Sequence, residues 1–152
     1  SNVPFSGGVK GKVKGTIKDG KKEGPFVYFH SQIKGNISEG NYKDGKREGA
    51  WVHYYETGQI DAIGSYKGGK KEGPWIHYRS NTSGFPANGK LWMKGSYIGG
   101  VREGRWEGPY ICFEGGNPSR NGVDGYCFDD YEDGEIRAGS RKSSGYRFEK
   151  LK

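Results

Sequence analysis

Two histidines, His53 and His77, stand at equivalent places in two copies of one phrase, Trp51-Val52-His53-Tyr54 and Trp75-Ile76-His77-Tyr78. A pair of imidazoles could hold a metal ion or exchange a proton. On successive hairpins of one sheet, however, equivalent positions lie two strand spacings apart, roughly 10 Å. Shared ligation needs both nitrogens about 2 Å from one ion, and His30 is out of phase with either. The pair reads as a row of surface histidines, with no metal.

The acidic run Asp129-Asp130-Tyr131-Glu132-Asp133-Gly134 suggests calcium, since Asp129, Asp133 and Gly134 fall at positions one, five and six of an EF-hand loop. Position three would be Tyr131, position twelve Ser140 instead of a bidentate Glu, and no flanking helix is predicted, so a degenerate hairpin turn fits better. Cys112 and Cys127 are the two cysteines. If the Gly115 to Gly122 loop reverses the chain, a bridge between them closes about sixteen residues and contributes roughly 3 kcal/mol through chain entropy. That disulfide would favour an exported or periplasmic setting; two free buried thiols, and with them the cytoplasm, stay open as the alternative. Neither cysteine carries an activating motif, no Gly-x-Ser-x-Gly elbow is present, and no Gly-rich loop sits between a strand and a helix. The expectation is a non-catalytic protein without cofactors.

The elements that position these residues come from a repeat. Lys18-Asp19-Gly20-Lys21-Lys22-Glu23-Gly24-Pro25-Phe26 returns as Lys43 to Trp51 and as Lys67 to Trp75, with a worn fourth copy. Self-similarity at a period in the twenties marks a stacked array, which presents a surface more readily than it builds a pocket. Aligned on Gly15, Gly40, Gly64 and Gly95, the units are 25, 24 and 31 residues apart. A Ser/Asn/Gly/Pro-rich insertion at 80–89 accounts for the long interval. The fourth unit is aligned through Tyr110-Ile111-Cys112-Phe113, with Arg105-Trp106-Glu107-Gly108 as an extra segment. Tyr131 to Ala138 echoes Tyr55 to Ala62. The chain thus divides into about four repeats over 15–121 and a degenerate cap over 122–152, all within one domain, 1–152.

Short β-branched and aromatic runs bounded by Asp-Gly, Gly-Gly or Thr-Gly read as strand, turn, strand, turn, and no sustained helical period occurs. The predicted class is all-β: an elongated, twisted antiparallel sheet of stacked hairpins. Alternation puts Val27, Val52, Ile76 and Ile111 with Phe29, Tyr54, Tyr78 and Phe113 on one face, expected to be the packing ladder. Phe26, Trp51, Trp75 and Tyr110 fall on the other. Gly40, Gly64 and Gly95 share a face with Tyr42, Tyr66 and Tyr97, as strand glycines shielded by rings would.

Only 31% of the 152 residues are hydrophobic, but 14% are aromatic and 29 are Gly, which suits a thin aromatic-faced sheet and not a thick two-layer core. Lys and Arg number 25 against 18 Asp and Glu, a net charge of +7. Most of that charge lies in the repeated turns with Asp and Glu interleaved. No continuous basic track accompanies the rings, so nucleic acid is not the expected partner. The C-terminal third is polarised, acidic from Asp124 to Glu135 and then basic, which marks a candidate contact site. No run approaches a membrane span. Ser1-Asn2 has the look of a cleavage remnant, so nothing follows from the lack of a leader.

The pattern Tyr-Lys-x-Gly-Lys-x-x-Gly-x-Trp with a following Tyr-Tyr-x-x-Gly resembles the MORN repeat, in particular the bacterial variant of YwqK-like antitoxin proteins, from Gly15 to about Phe113. The resemblance implies a module that binds another protein, as an antitoxin or immunity partner occluding a toxic bacterial effector. The contact residues expected are Trp51, His53, Tyr55, Trp75, His77 and Arg79, a ladder of exposed rings and polar tips. Trp106 with Asp129, Asp130 and Asp133 would form a second contact. It implies as the alternative a structural or membrane-proximal scaffold that binds anionic lipid through Lys21, Lys22, Lys46, Arg47, Lys70 and Lys71. A carbohydrate surface on the same rings is a third reading.

Overall fold

The computed structural model describes residues 7–9, 12–29, 36–79, 89–108, 127–137 and 142–143, with only the backbone described at 8, 9, 36, 127–129, 142 and 143. The chain runs through β1 (Gly7–Val9), β2 (Val13–Lys18), β3 (Lys21–Phe29), β4 (Asn36–Lys43), β5 (Lys46–Tyr54) and β6 (Ile60–Lys67). It continues through β7 (Lys70–Tyr78), β8 (Leu91–Ile98), β9 (Val101–Gly108), β10 (Cys127–Glu132), β11 (Glu135–Ile136) and β12 (Lys142–Ser143). Each strand pairs antiparallel with the next from β1 to β11, and β12 lies beside β10, so all twelve form one sheet. The predicted all-β sheet of consecutive hairpins is the observed architecture, with no helix among the described residues.

Two-residue turns join the hairpins at one edge. Asp19-Gly20, Asp44-Gly45, Gly68-Gly69, Gly99-Gly100 and Asp133-Gly134 all have both residues at positive φ, from 48° at Asp19 to 96° at Gly100. This is the type I′ geometry whose twist matches that of the strands, and Asp and Gly are the residues that tolerate it. The fifth turn corrects the sequence alignment. Asp133-Gly134 corresponds to Asp44-Gly45 and not to Thr57-Gly58, and this hairpin turn occupies the stretch weighed above as a calcium loop.

Downstream of each of the first four turns the second strand bulges. Trp51 lies opposite Gly40 and Glu48 opposite Asn41, so two residues, Gly49 and Ala50, have no counterpart on β4. The residue that begins each bulge is Gly24, Gly49, Gly73 or Gly104, with φ between 66° and 74°. Pro25 and Pro74 follow two of these glycines, and a bulge is where a strand tolerates a residue with no N–H to give.

The bulge frees a carbonyl that the indole then takes. Trp51 Nε1 donates to Asn41 O, Trp75 Nε1 to Ser65 O and Trp106 Nε1 to Ser96 O, each at 3.1 Å. Beneath each ring lies a glycine, and a Cβ at Gly15, Gly40, Gly64 or Gly95 would fall inside Phe26, Trp51, Trp75 or Trp106 respectively. The glycines that open the units are therefore seats for the rings of the paired strand.

Candidate functional site

The core of this single sheet is the aromatic row itself. Trp51 and Trp106 are 0% exposed and Phe26 and Trp75 1%, with Tyr42, Tyr66, Tyr97, Ala62 and Met93 also buried. The structure therefore reverses the expected roles of the two faces. Trp51, Trp75 and Trp106 are core and not exposed contact residues, while Val27, Val52 and Ile76 are only half-buried. Trp106 also moves: it seats on Gly95 as Trp51 seats on Gly40, so the fourth repeat runs through Glu103-Gly104-Arg105-Trp106 and needs no extra segment. Tyr110 to Phe113 lies outside the described residues.

What seals a one-layer core is a side-by-side series of rings closed by cations. Trp51, His53, Trp75, His77 and Trp106 follow one another with centroids 5.9–6.1 Å apart and interplanar angles of 24–37°. Tyr42, Tyr66 and Tyr97 meet the tryptophans edge-on, at 4.9–5.9 Å. The basic residue just before the Glu of every turn phrase then lies over a ring pair. Lys22 covers Phe26 and Tyr42, Arg47 covers Trp51 and Tyr66, Lys71 covers Trp75 and Tyr97, and Arg102 covers Trp106 and Tyr131, all at 4.2–5.6 Å. Each such contact contributes about 0.5–1 kcal/mol, and the aliphatic stems cover apolar surface as well. Arg47 further donates to Tyr66 Oη at 3.1 Å and Arg102 to Tyr131 Oη at 3.0 Å.

The histidines are ring spacers in this series. Trp75 lies between His53 and His77. His53 Nε2 meets Tyr66 Oη at 3.2 Å, whereas His77 Nε2 is buried with no partner among the described residues. Burial first, then nearby cations including Arg47 for His53 and Lys71 for both, pushes each imidazole down to about 4. Both rings are thus neutral at pH 7. Among the described residues, no three His, Cys, Asp or Glu side chains converge.

The remaining predicted contact residues are dispersed. Tyr55 is half-buried where β5 turns toward β6, and its hydroxyl donates to Tyr78 O at 2.7 Å. Burial, then Asp61, pushes that phenol up to about 12. Arg79 follows β7, with its amide bonded to Lys90 O. Asp130 pairs with Arg105 at 3.3 Å. Asp133 forms the fifth turn, and the backbone of Asp129 faces Trp106. Cys112 and residues 80–88 lie outside the described residues, and Cys127 is described in its backbone alone.

On the opposite face one row crosses the sheet: Val27, Glu39, Val52, Ile63, Ile76, Lys94 and Glu107 are register partners in succession. Its four aliphatic members are half-buried, and all described strands belong to one sheet, so no second layer among them covers this row. Tyr54 stands on the same face and donates to Glu39 Oε1 at 2.6 Å. Lys94 and Glu107 pair at 3.0 Å at the far end. A scan against protein-family models finds no match to this chain, and a search of curated proteins finds none either.

Sequence reasoning gave Lys22, Arg47 and Lys71 to lipid and passed over Arg102, although the signal for ring capping was present: the residue before the Glu of the phrase is basic in all four copies. Those carboxylates also have a structural task. Glu23, Glu48, Glu72 and Glu103 accept the amides of Asp44, Gly68, Gly99 and Asp133 in the next turn, at 2.8–3.1 Å.

Proposed function

We propose that this chain is a non-catalytic protein-binding module, acting as an antitoxin or immunity protein that blocks a bacterial effector by covering its working surface. The MORN-like phrase motivates the class of function. The observation that carries the reading is the division of labour between the faces. The rings are spent on folding, while Val27, Val52, Ile63 and Ile76 form an apolar row with no described layer over it. A half-exposed apolar row beside Tyr54 and charged flanks has the make-up of an interface centre with a polar rim. The contact therefore moves from the tryptophans to the opposite face.

The test is affinity capture from the native host with the wild type and with Val52→Thr/Ile76→Thr, which keeps β-branching and strand propensity. One stoichiometric protein, captured by the wild type and lost by a variant of unchanged far-UV spectrum, is the expected result. Retention of that protein by the variant overturns the assignment of the face. Capture of no protein by the wild type overturns the binding-module reading.

A further inference from the structure

The five turns form one edge of the sheet, and the residue pairs flanking them are direct register partners. In order they are Lys18 with Lys21, Lys43 with Lys46, Lys67 with Lys70, Ile98 with Val101, and Glu132 with Glu135. Like charges placed directly opposite are unfavourable in a hairpin, and opposite charges would have been favourable. Three consecutive turns nonetheless carry Lys against Lys. The charges of these lysines take no part in capping the rings, where the cations are the neighbouring Lys22, Arg47 and Lys71. The six lysines are exposed, and the ion pairs formed by Lys94, Arg105 and Arg137 lie elsewhere. Ile98 and Val101 are 59% and 45% exposed, the two highest values among the large exposed hydrophobic residues.

With Asp19, Asp44 and Asp133 counted, the four residues of each turn carry net charges of +1, +1, +2, 0 and −3, so the edge runs from basic through apolar to acidic, one step per hairpin. Each step spans two strand spacings, roughly 9.5 Å. An extended peptide of the polyproline-II type returns a side chain to the same side every third residue, at about 3.1 Å per residue, hence roughly 9.3 Å. A β-strand brings residues to one face every second residue, about 6.7 Å apart, and duplex DNA carries a charge every ~1.7 Å of its axis. Neither matches the step.

We propose that this edge binds an extended acidic segment of a protein partner, with carboxylates at every third residue meeting the three lysine pairs and an apolar side chain meeting Ile98 and Val101. The proposal rests on the protein-binding reading above, but it names a different surface and a definite ligand chemistry. Glu132 and Glu135 give the edge a direction, because they repel an acidic continuation of the segment beyond the apolar step.

The probe is a synthetic proline-rich peptide with glutamate at three successive third positions followed by leucine, titrated at low salt by fluorescence anisotropy. Its control has the same composition with the glutamates adjacent. Tighter binding of the spaced peptide is expected, with affinity about tenfold lower in a variant with Lys43→Glu/Lys46→Glu and Lys67→Glu/Lys70→Glu. Because those residues are exposed, the variant should keep the wild-type melting temperature. Ile98→Ser/Val101→Ser should weaken the spaced peptide less, by a few-fold.

Equal binding of the two peptides, or binding unmoved by charge reversal, overturns the proposal. So does tighter, lysine-dependent binding of an oligothymidylate or of phosphatidylserine vesicles, which would assign the edge to nucleic acid or membrane instead. Loss of the captured host protein on Val52→Thr/Ile76→Thr, together with failure of the peptide, removes the edge and leaves the face. Peptide binding together with a captured protein that is retained by Val52→Thr/Ile76→Thr removes the face and leaves the edge.

Discussion

Trp75 shows how much one side chain carries when a protein has a single layer. It seats on Gly64, donates to Ser65 O, stacks against His53 and His77 and lies under Lys71. Trp75→Ala should therefore cost about 3–5 kcal/mol in urea unfolding. Gly64→Ala should itself cost about 1–3 kcal/mol, because the added Cβ displaces the ring; wild-type stability in this second variant would refute the seating. The histidines predict an acid dependence. An unfolded imidazole binds its proton near pH 6.5 and the folded ones at about 4, so the unfolded state holds more protons between those values. Stability is then complete above pH 6.5 and falls as the pH drops toward 4. His53→Phe/His77→Phe should flatten that fall in melting temperature, whereas an unchanged acid slope would place the titration elsewhere. The seats at Gly40, Gly64 and Gly95 were legible in the sequence as strand glycines near rings. The burial of the tryptophans was not, because alternation separates two faces without saying which one is dry, and the aliphatic row looked like the ordinary choice of core.

At the scale of the element, each hairpin is tied to the one before it through its turn. The amide of Gly99 reaches Glu72 Oε2, and the next amide, of Gly100, reaches Lys71 O. Repetition of both bonds at Asp44-Gly45, Gly68-Gly69 and Asp133-Gly134 explains why Glu follows the ring-capping cation in every copy. Glu72→Gln keeps the shape and removes the charge that strengthens the bond. It should cost about 1 kcal/mol and speed hydrogen exchange at Gly99 while leaving Gly68, bonded to Glu48, unchanged. Equal acceleration at both amides would mean global loosening and not a local tie. The hairpins and turn residues were readable from Asp-Gly and Gly-Gly between alternating strands. The fourth and fifth units were not, because Trp106 competes with Tyr110 as the aligned ring and Asp133-Gly134 resembles either turn of the repeat.

For the whole molecule the consequence is a sheet that folds on its rings and leaves the aliphatic row of the opposite face without a described layer over it. Ring contacts such as Trp51–Tyr66, His53–Trp75 and Trp75–Tyr97 join neighbouring repeats, so stability should be built step by step along the array, as in other stacked repeats. The all-β hairpin array was visible from the repeat alone, since its turns and period depend on local chemistry. The buried face was not, because it depends on which face the cations close. That closure is most directly tested by acrylamide quenching of tryptophan fluorescence in the wild type and in Trp92→Phe. Trp92 is 39% exposed, against 0–1% for Trp51, Trp75 and Trp106. Quenching confined to one accessible component in the wild type, and nearly abolished in Trp92→Phe while urea restores it, is the expected result. Efficient quenching of the three remaining tryptophans in the folded variant would contradict a sealed ring core and return those rings to the binding surface.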